Sequence, residues 1–133
     1  MPFIHITVGK PLSGPGKQRV CRQATQLIAD RLAKRREVTS VLVESVANNG
    51  WTINGEPPDD SALTHVHTDI LITAGTNSSE EKSQMIAAMH AMLGKELGVL
   101  PEASYVVIRE LPATDWGYAG STQAARRQAG GGL

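Results

Sequence analysis

The sequence predicts an α/β (α+β) domain in which a β-α-β unit occurs twice, giving a four-stranded sheet with two helices on one face. Three observations lead there: self-similarity at an offset of 65 to 66 residues, short runs that alternate apolar and polar side chains, and two segments with helical apolar spacing. The 133 residues suit one ordinary domain. We expect a single domain over 1–127, with repeats at about 2–57 and 64–127 and a disordered tail over 128–133.

The two copies have low sequence identity, and the repeat is recognised from apolar positions that coincide. At an offset of 66, Ile6-Thr7-Val8-Gly9 lies over Ile72-Thr73-Ala74-Gly75. The one-residue slip relative to the helices falls in the loop after the first strand, where an insertion costs little. At an offset of 65, Trp51 falls on Trp116, and Val20, Ala24, Leu27, Ile28 and Leu32 fall on Met85, Met89, Met92, Leu93 and Leu97.

Each copy reads as strand, helix, strand. In the first copy we predict strands over 2–8 and 38–46, a Pro- and Gly-rich loop over 11–16, and a helix from about residue 17. Lys34, Arg35 and Arg36 are interpreted as a basic helix C terminus. In the second copy we predict strands over 68–74 and 105–111, and a helix from Ser78 or Ser79 to Leu97. Residues 56–61 connect the copies.

Composition excludes several classes of protein. Thirteen basic and thirteen acidic side chains cancel, which argues against a nucleic-acid or anionic membrane partner. The single cysteine, Cys21, excludes an internal disulfide and a cysteine-rich zinc site. The sequence has neither a membrane-spanning run nor a signal peptide, so we expect a cytoplasmic protein. Two helices cover one sheet face only, and the other face should carry Ile and Val, which favours a homo-oligomer.

Particular residues resemble a known family. The chain opens Pro2-Phe3-Ile4-His5-Ile6, and each copy ends in a tryptophan hairpin, Asn48-Asn49-Gly50-Trp51-Thr52-Ile53-Asn54-Gly55-Glu56 and Thr114-Asp115-Trp116-Gly117-Tyr118-Ala119-Gly120. The basic close, Gln123-Ala124-Ala125-Arg126-Arg127, adds to the likeness. Together they resemble the tautomerase superfamily, in the fused two-unit form of 4-oxalocrotonate tautomerase. The resemblance implies a tautomerase/MIF-like β-α-β fold, a homotrimer, and keto–enol chemistry on a small molecule without a cofactor.

In that family the N-terminal proline is the general base, which here implies Pro2 once Met1 is removed. An unperturbed α-amino group titrates at about 7.7–8.0, and burial or a neighbouring cation lowers its pKa. A neutral base of this kind can accept a proton from an enol of 2-hydroxy-dienoate or enol-pyruvate type. Otherwise Pro2 merely begins an edge strand, where proline is tolerated. Hydration, dehalogenation or decarboxylation by Pro2, or a tautomerase-fold binding protein without activity, remain as alternatives.

This sequence lacks the arginines that hold the substrate in the type enzyme of the family. The type enzyme holds a dicarboxylate with two arginines, but the corresponding places here carry Lys10 and, near the second strand, Ser40 and Leu42. Arginine is also absent from the second copy's loop at 76–78, where dehalogenase and decarboxylase relatives carry it, so a doubly charged substrate is in doubt. We expect four residues to complete the site: Arg109, Trp116, Tyr105 and Lys10. The alternatives are that Arg109 is a solvated cation at a strand end, that Lys10 is a surface charge, and that Trp116 packs within its hairpin.

The second copy begins at Thr68 instead of a proline, so we expect its site to be silent, with Trp51 serving in packing. His65, His67 and Asp69 alternate along one strand face, but a polar strand entry explains them better than a metal site, and we expect no metal. An RNA-binding module of the same element order would need aromatic side chains on central strands and a basic surface. The chain offers only Phe3 and Tyr105 there, and its net charge is zero.

Overall fold

The computed structural model describes residues 2–47, 50–58 and 63–130, and the predicted βαββαβ order is confirmed. A short hairpin and a third helix follow the second copy. That helix runs through residue 128, where the tail was expected to begin; residues 131–133 of the tail and 59–61 of the connection lie outside the described residues. The elements are β1 Phe3–Val8, α1 Gly14–Leu32, β2 Ser40–Ser45, β3 Val66–Thr73, α2 Ser79–Leu97, β4 Val106–Leu111, β5 Gly117–Tyr118, β6 Ser121–Thr122 and α3 Gln123–Gln128.

The four long strands form one sheet in the order β2-β1-β3-β4. Within each copy the two strands are parallel, as a helical crossover requires, while β1 and β3 meet antiparallel at the centre. The two copies are therefore related by an approximate twofold axis. β1 and β2 begin at the same end of the sheet at which β3 and β4 finish, and we call this the Pro2 end.

Both helices pack on one face, as predicted, and the core lies between them and the sheet. Helix α1 buries Val20, Ala24, Ile28 and Leu32, whereas Leu27 is only partly buried. The methionine positions of α2 are core, also as predicted. Of all the Ile and Val side chains in the four strands, the alternation places only Val107 on the opposite face. The buried apolar strand residues are Ile4, Ile6, Val8, Val43, Val66, Ile70 and Ile72.

The prediction that residues 11–16 form a loop is wrong in its second half, because α1 begins at Gly14. The hydroxyl of Ser13 accepts a hydrogen bond from the Gly16 amide at 3.0 Å and caps the helix, and Pro15 is tolerated in the first turn, where no intrahelical amide bond is lost. The predicted cap of α2 is confirmed: Ser78 and Glu81 form a capping box, and Gly98 ends the helix at φ 93°.

The helix-free face of the sheet is mixed, which corrects the expectation of Ile and Val. Its apolar side chains are Phe3, Leu42, Leu71, Val107 and Leu111, and Leu42 is 45% exposed. Between them lie two ionic groups, the first joining His5 to Glu44 at 2.6 Å. In the second, Asp69 contacts both His67 at 3.2 Å and Arg109 at 3.1 Å. No helix in the described part of the chain is long and apolar enough to cross a membrane.

The strand pairing also corrects the alignment of the two copies. Helix caps Ser13 and Ser78 are 65 residues apart. Applying the same offset of 65 to the second strands places Val41 of β2 on Val106 of β4. Val41 pairs with Ile4 and Val106 pairs with Thr68, so Ile4 corresponds to Thr68. The first strands are therefore related by 64 residues, not 66. A shift of two keeps every side chain on its face, so apolar periodicity alone could not detect the error.

Candidate active site

Pro2 lies at the Pro2 end, directly before β1. It is buried, and its carbonyl oxygen accepts a hydrogen bond at 3.3 Å from the Ser40 amide, at the start of β2. A proline here loses no ladder hydrogen bond, since its nitrogen enters the strand before the first pairing. Met1 lies outside the described residues. The first strand therefore brings the nitrogen of Pro2 to the end of the sheet where the second copy finishes.

A cavity of about 440 Å³ lies beside Pro2. Its volume is in the range that suits a small organic molecule. One wall comes from the connection between α1 and β2, and the second copy contributes Tyr118 from β5, so both copies build this cavity. We call it the Pro2 cavity, and its lining residues are Pro2, Phe3, Glu37, Val38, Thr39, Ser40 and Tyr118.

Trp116 lies at the same end of the sheet, where its indole Nε1 donates a hydrogen bond to the Thr73 hydroxyl at 3.2 Å. The Pro2 cavity, as far as the described residues line it, does not include Trp116. At the opposite end, Trp51 packs against Gly9 and lies 5.6 Å from the His65 ring. The two tryptophans thus occupy equivalent places under the approximate twofold axis: Trp51 contacts Gly9 and Trp116 contacts Thr73, each at the end of the first strand of its own copy.

A second cavity of about 500 Å³ opens where α1 ends and the loop after β3 begins. Lys34 stands in its wall and is only 6% exposed, although a basic residue beyond a helix end is usually solvated. Ala33 ends α1 in the left-handed conformation, at φ 57°, which turns the chain before Lys34. The lining residues are Leu32, Ala33, Lys34, Gly75, Thr76, Asn77, Glu81 and Arg127, and we call this the Lys34 cavity.

Lys34 is a buried cation without a close anion. Its Nζ donates one hydrogen bond to the Thr76 hydroxyl at 2.8 Å, and within the described residues no carboxylate lies within 4.0 Å of it. Burial lowers the pKa of Lys34, and the more distant carboxylates of Glu81 and Glu110 oppose this only in part. An ammonium group has three donors, so two remain for a ligand.

The two nearby carboxylates are engaged elsewhere. Glu81 accepts a hydrogen bond from the Ser78 amide at 2.8 Å, and this bond is the main cause of its lowered pKa. Glu110 accepts a hydrogen bond from the Lys82 ammonium at 2.9 Å, which likewise lowers the pKa of Glu110. Neither group neutralises Lys34 directly. The Lys34 cavity therefore carries net positive character from Lys34 and Arg127, tempered by Glu81.

Of the four residues predicted to complete the site, three lie away from the Pro2 cavity within this chain. Lys10 is at the opposite end of the sheet, where its Nζ donates to the carbonyl of Leu97 at 2.9 Å. Tyr105 is also at that end, directly before β4, and is 65% exposed. Arg109 lies on the helix-free face, held by Asp69. Arg109 is in register with Leu71 and Phe3, so it is also toward the Pro2 end, although it does not line the Pro2 cavity. Trp116 lies at the Pro2 end too, beside Thr73.

The opposite end of the sheet shows what the second copy offers. With an offset of 64, Val66 takes the place of Pro2, so Thr68 is not the corresponding residue. Val66 is preceded by the His65 peptide, whose carbonyl accepts a hydrogen bond from the Gly9 amide at 2.8 Å. This end therefore lacks a terminal amine. Among the described residues, no group of three or more His, Cys, Asp or Glu side chains is arranged to hold a metal ion.

Sequence reasoning missed two residues of this region, Lys34 and Tyr118. Lys34 looked like one of three basic residues at a helix end, and only the left-handed turn at Ala33 distinguishes it. Tyr118 lies in the same hairpin motif as Trp116, but the family resemblance assigns the pocket role to Trp116. The sequence carries only a weak signal for this hairpin, since of its two turn residues only Gly120 readily adopts a positive φ.

Comparison with known proteins places this geometry in context. Residues 67–126 match the family described as tautomerase enzyme. The chain is 35% identical over 57 residues to the probable tautomerase K2 of Dickeya dadantii (strain 3937), which covers 42% of this chain and 85% of that protein.

Solved structures share the fold over nearly the whole chain. The crystal structure of Pt0534 inactivated by 2-oxo-3-pentynoate has a TM-score of 0.82 at 14% identity, covering 92% of this chain and 97% of that one. The wild-type asymmetric trimer of the F6 fused 4-OT has a TM-score of 0.80 at 20% identity, with the same coverage of 92% and 97%. At these identities the structures show the fold alone.

Proposed function

The chain belongs to the tautomerase family and has the fold of its fused, two-unit members, and from this premise we propose that it is a cofactor-independent keto–enol tautomerase with Pro2 as its base. The observation that carries the proposal is the position of Pro2, buried at the start of β1 and bordering a cavity of about 440 Å³. The substrate class is a small 2-hydroxy-dienoate or enol-pyruvate.

The reaction needs only one proton carrier. With Met1 removed, the neutral secondary amine of Pro2 accepts the hydroxyl proton of the enol, and the resulting ammonium group returns a proton to carbon, giving the ketone. An α-amino group is suited to this, because its ordinary pKa of about 7.7–8.0 leaves it partly neutral at physiological pH.

We propose Lys34 as the anchor for the substrate carboxylate, in place of the family's arginines. Residues of one connection, between α1 and β2, line both cavities: Lys34 stands in one, and Glu37 to Ser40 in the other. A carboxylate would supply the partner that Lys34 lacks, with Arg127 available beside it. The loop at Thr76 and Asn77 has no arginine, which favours a singly charged substrate.

Trp116 is proposed to border the amine. Trp51 packs beside the His65 ring, and Met1 is the equivalent of His65 under the 64-residue offset. Removal of Met1 would therefore leave the amine of Pro2 next to Trp116. For the assembly we propose a homotrimer that buries the helix-free face, which carries Phe3, Leu42, Leu71, Val107 and Leu111, as the fused 4-OT of the same fold is a trimer. In such an assembly Lys10, Tyr105 or Arg109 would reach a site only across chains.

The test is ketonisation of an arylenol pyruvate and of a dienol dicarboxylate, followed by ultraviolet absorbance, for the wild type and Pro2→Ala. Intact mass is recorded for both, to establish that Met1 is absent. We expect activity in the wild type, greater on the arylenol pyruvate, and its loss in Pro2→Ala. No activity in wild-type protein lacking Met1 would refute tautomerase action on these substrates and leave hydration, dehalogenation, decarboxylation or ligand binding.

A further inference from the structure

The β5–β6 hairpin that carries Tyr118 is too short to hold itself in place. Its ladder has only two residue pairs, Gly117 with Thr122 and Tyr118 with Ser121. An isolated hairpin of this length is unstable in water. Its turn is also strained, because Ala119 adopts a positive φ of 51°, a conformation that disfavours a residue with a Cβ atom. Something outside the hairpin must therefore fix Tyr118.

Arg126 of α3 makes two contacts with Tyr118. Its guanidinium carbon lies 3.8 Å from the centroid of the Tyr118 ring, and its Nη2 donates a hydrogen bond to the Tyr118 carbonyl at 2.8 Å. The first contact holds the side chain and the second holds the backbone. Within the described part of the chain, Arg126 has no carboxylate partner within 4.0 Å, so its guanidinium is directed to this one residue.

Helix α3 is itself attached to the hairpin region. Its first amide, from Gln123, donates to the Trp116 carbonyl at 3.0 Å, and the Ala124 amide donates to the Ala113 carbonyl at 2.8 Å. The Thr122 hydroxyl caps the helix by accepting from the Ala125 amide at 3.0 Å. Arg126 is thus presented from a helix whose start is fixed to the segment that it braces.

We infer that Arg126 is a positioning residue that holds the Tyr118 ring as a wall of the Pro2 cavity and so sets the affinity for substrate. The inference rests on the proposed function, because the affinity that it concerns is measured in the reaction proposed for Pro2. Arg126 does not touch the reacting atoms in this scheme. Its loss should therefore weaken binding more than it slows the chemical step.

The experiment compares Arg126→Met, Arg126→Lys and Arg22→Met, the last removing an exposed arginine of α1 as a matched control. In Arg126→Met we expect KM to rise roughly 5- to 30-fold, the worth of a cation–π contact plus a hydrogen bond, with kcat changed much less. Arg126→Lys retains the cation over the ring and should recover part of the affinity. Arg22→Met should match the wild type.

Two further readouts separate failure of this inference from failure of the proposed function. The first is covalent labelling of the N-terminal amine by 2-oxo-3-pentynoate, the compound that inactivated Pt0534, followed by intact mass. The amine nitrogen bonds to the alkyne carbon distant from the ketone, and the adjacent carbon takes a proton. The second is hydrogen exchange of residues 117–122, which should become faster in Arg126→Met and requires no activity.

Wild-type protein that neither turns over substrate nor is labelled would refute the proposed function, and hydrogen exchange alone would then test the positioning role. If the wild type is active and Arg126→Met has the KM, labelling rate and exchange of Arg22→Met, the inference is overturned. Equal falls in kcat and kcat/KM, with KM unchanged, would also overturn it, because Arg126 would then act in the chemical step.

Discussion

Replacing Lys34 with methionine should lower activity without lowering stability. In the proposed complex, Lys34 donates a charge-assisted hydrogen bond to the substrate carboxylate, worth about 1.5–3 kcal/mol. Its loss should reduce kcat/KM roughly 10- to 150-fold, since each 1.36 kcal/mol is a factor of ten. Methionine has a similar length and no charge, so it fills the same space beside Thr76.

The stability of the free protein should move the other way, or not at all. The variant loses the bond from Lys34 to Thr76, worth about 1 kcal/mol, but the Thr76 hydroxyl still donates to the Thr73 carbonyl at 2.7 Å. Against this loss, the variant no longer buries a charge, the cost that lowers the pKa of Lys34. The free energy of unfolding should therefore be unchanged or higher than that of the wild type.

The assay pairs steady-state kinetics on the arylenol pyruvate with urea denaturation of the same preparations. Lys17→Met, which removes a lysine from the first turn of α1, is the matched control. A kcat/KM for Lys34→Met within about twofold of the wild type, well below the smallest effect of a lost charged hydrogen bond, would refute the anchoring role. A fall in stability of several kcal/mol would show instead that Lys34 is structural.

Three other predictions follow from the structure. As pH rises through the lowered pKa of Lys34, the ammonium group loses its charge and kcat/KM should fall; this fall should occur at a pH below about 10.4, the ordinary pKa of lysine. Because arginine stays charged, Lys34→Arg should abolish this fall of kcat/KM at high pH. Folding stability should rise over the same interval, because the folded state there binds fewer protons than the unfolded state. Gln123 is fully buried and neither side-chain amide atom has a hydrogen-bond partner in the described structure, so Gln123→Met should stabilise the fold by about 1 kcal/mol or more in urea titrations. Ser78→Ala removes the cap of α2 and should cost about 1 kcal/mol by the same measurement, whereas Ser83→Ala, on an exposed turn of that helix, should cost little.

The elements of the fold were predictable because local rules agree with the global arrangement. The apolar stripe of each helix, the capping serine of α2 and the alternation in the strands all point to one answer. The start of α1 was misplaced because Gly14-Pro15-Gly16 has the composition of a loop, although Ser13 caps it as a helix. The strand offset was wrong because sliding by two residues leaves a strand's pattern unchanged.

The site was less predictable, because it depends on which ends of the sheet meet. Pro2 could be singled out from the start of the chain and its resemblance to a family. Lys10 and Arg109, by contrast, were chosen as cations near strand ends, and their positions depend on strand direction and face. Lys34 depends on one left-handed residue, Ala33, which composition does not reveal. The positions of Lys10, Arg109 and Lys34 relative to the cavities thus depend on tertiary geometry, which the sequence pattern does not give.

The antiparallel meeting of β1 and β3 has a consequence for how such a protein can evolve. The hairpin of the second copy brings Tyr118 to the cavity beside Pro2 of the first copy, while Trp51 of the first copy lies at the other end, near His65 and Val66. In a chain made of one unit, any substitution would appear at every site of the assembly. Here a substitution at Tyr118 or Lys34 alters only the Pro2 end. In the fused chain the two ends of the sheet can therefore be changed independently of each other.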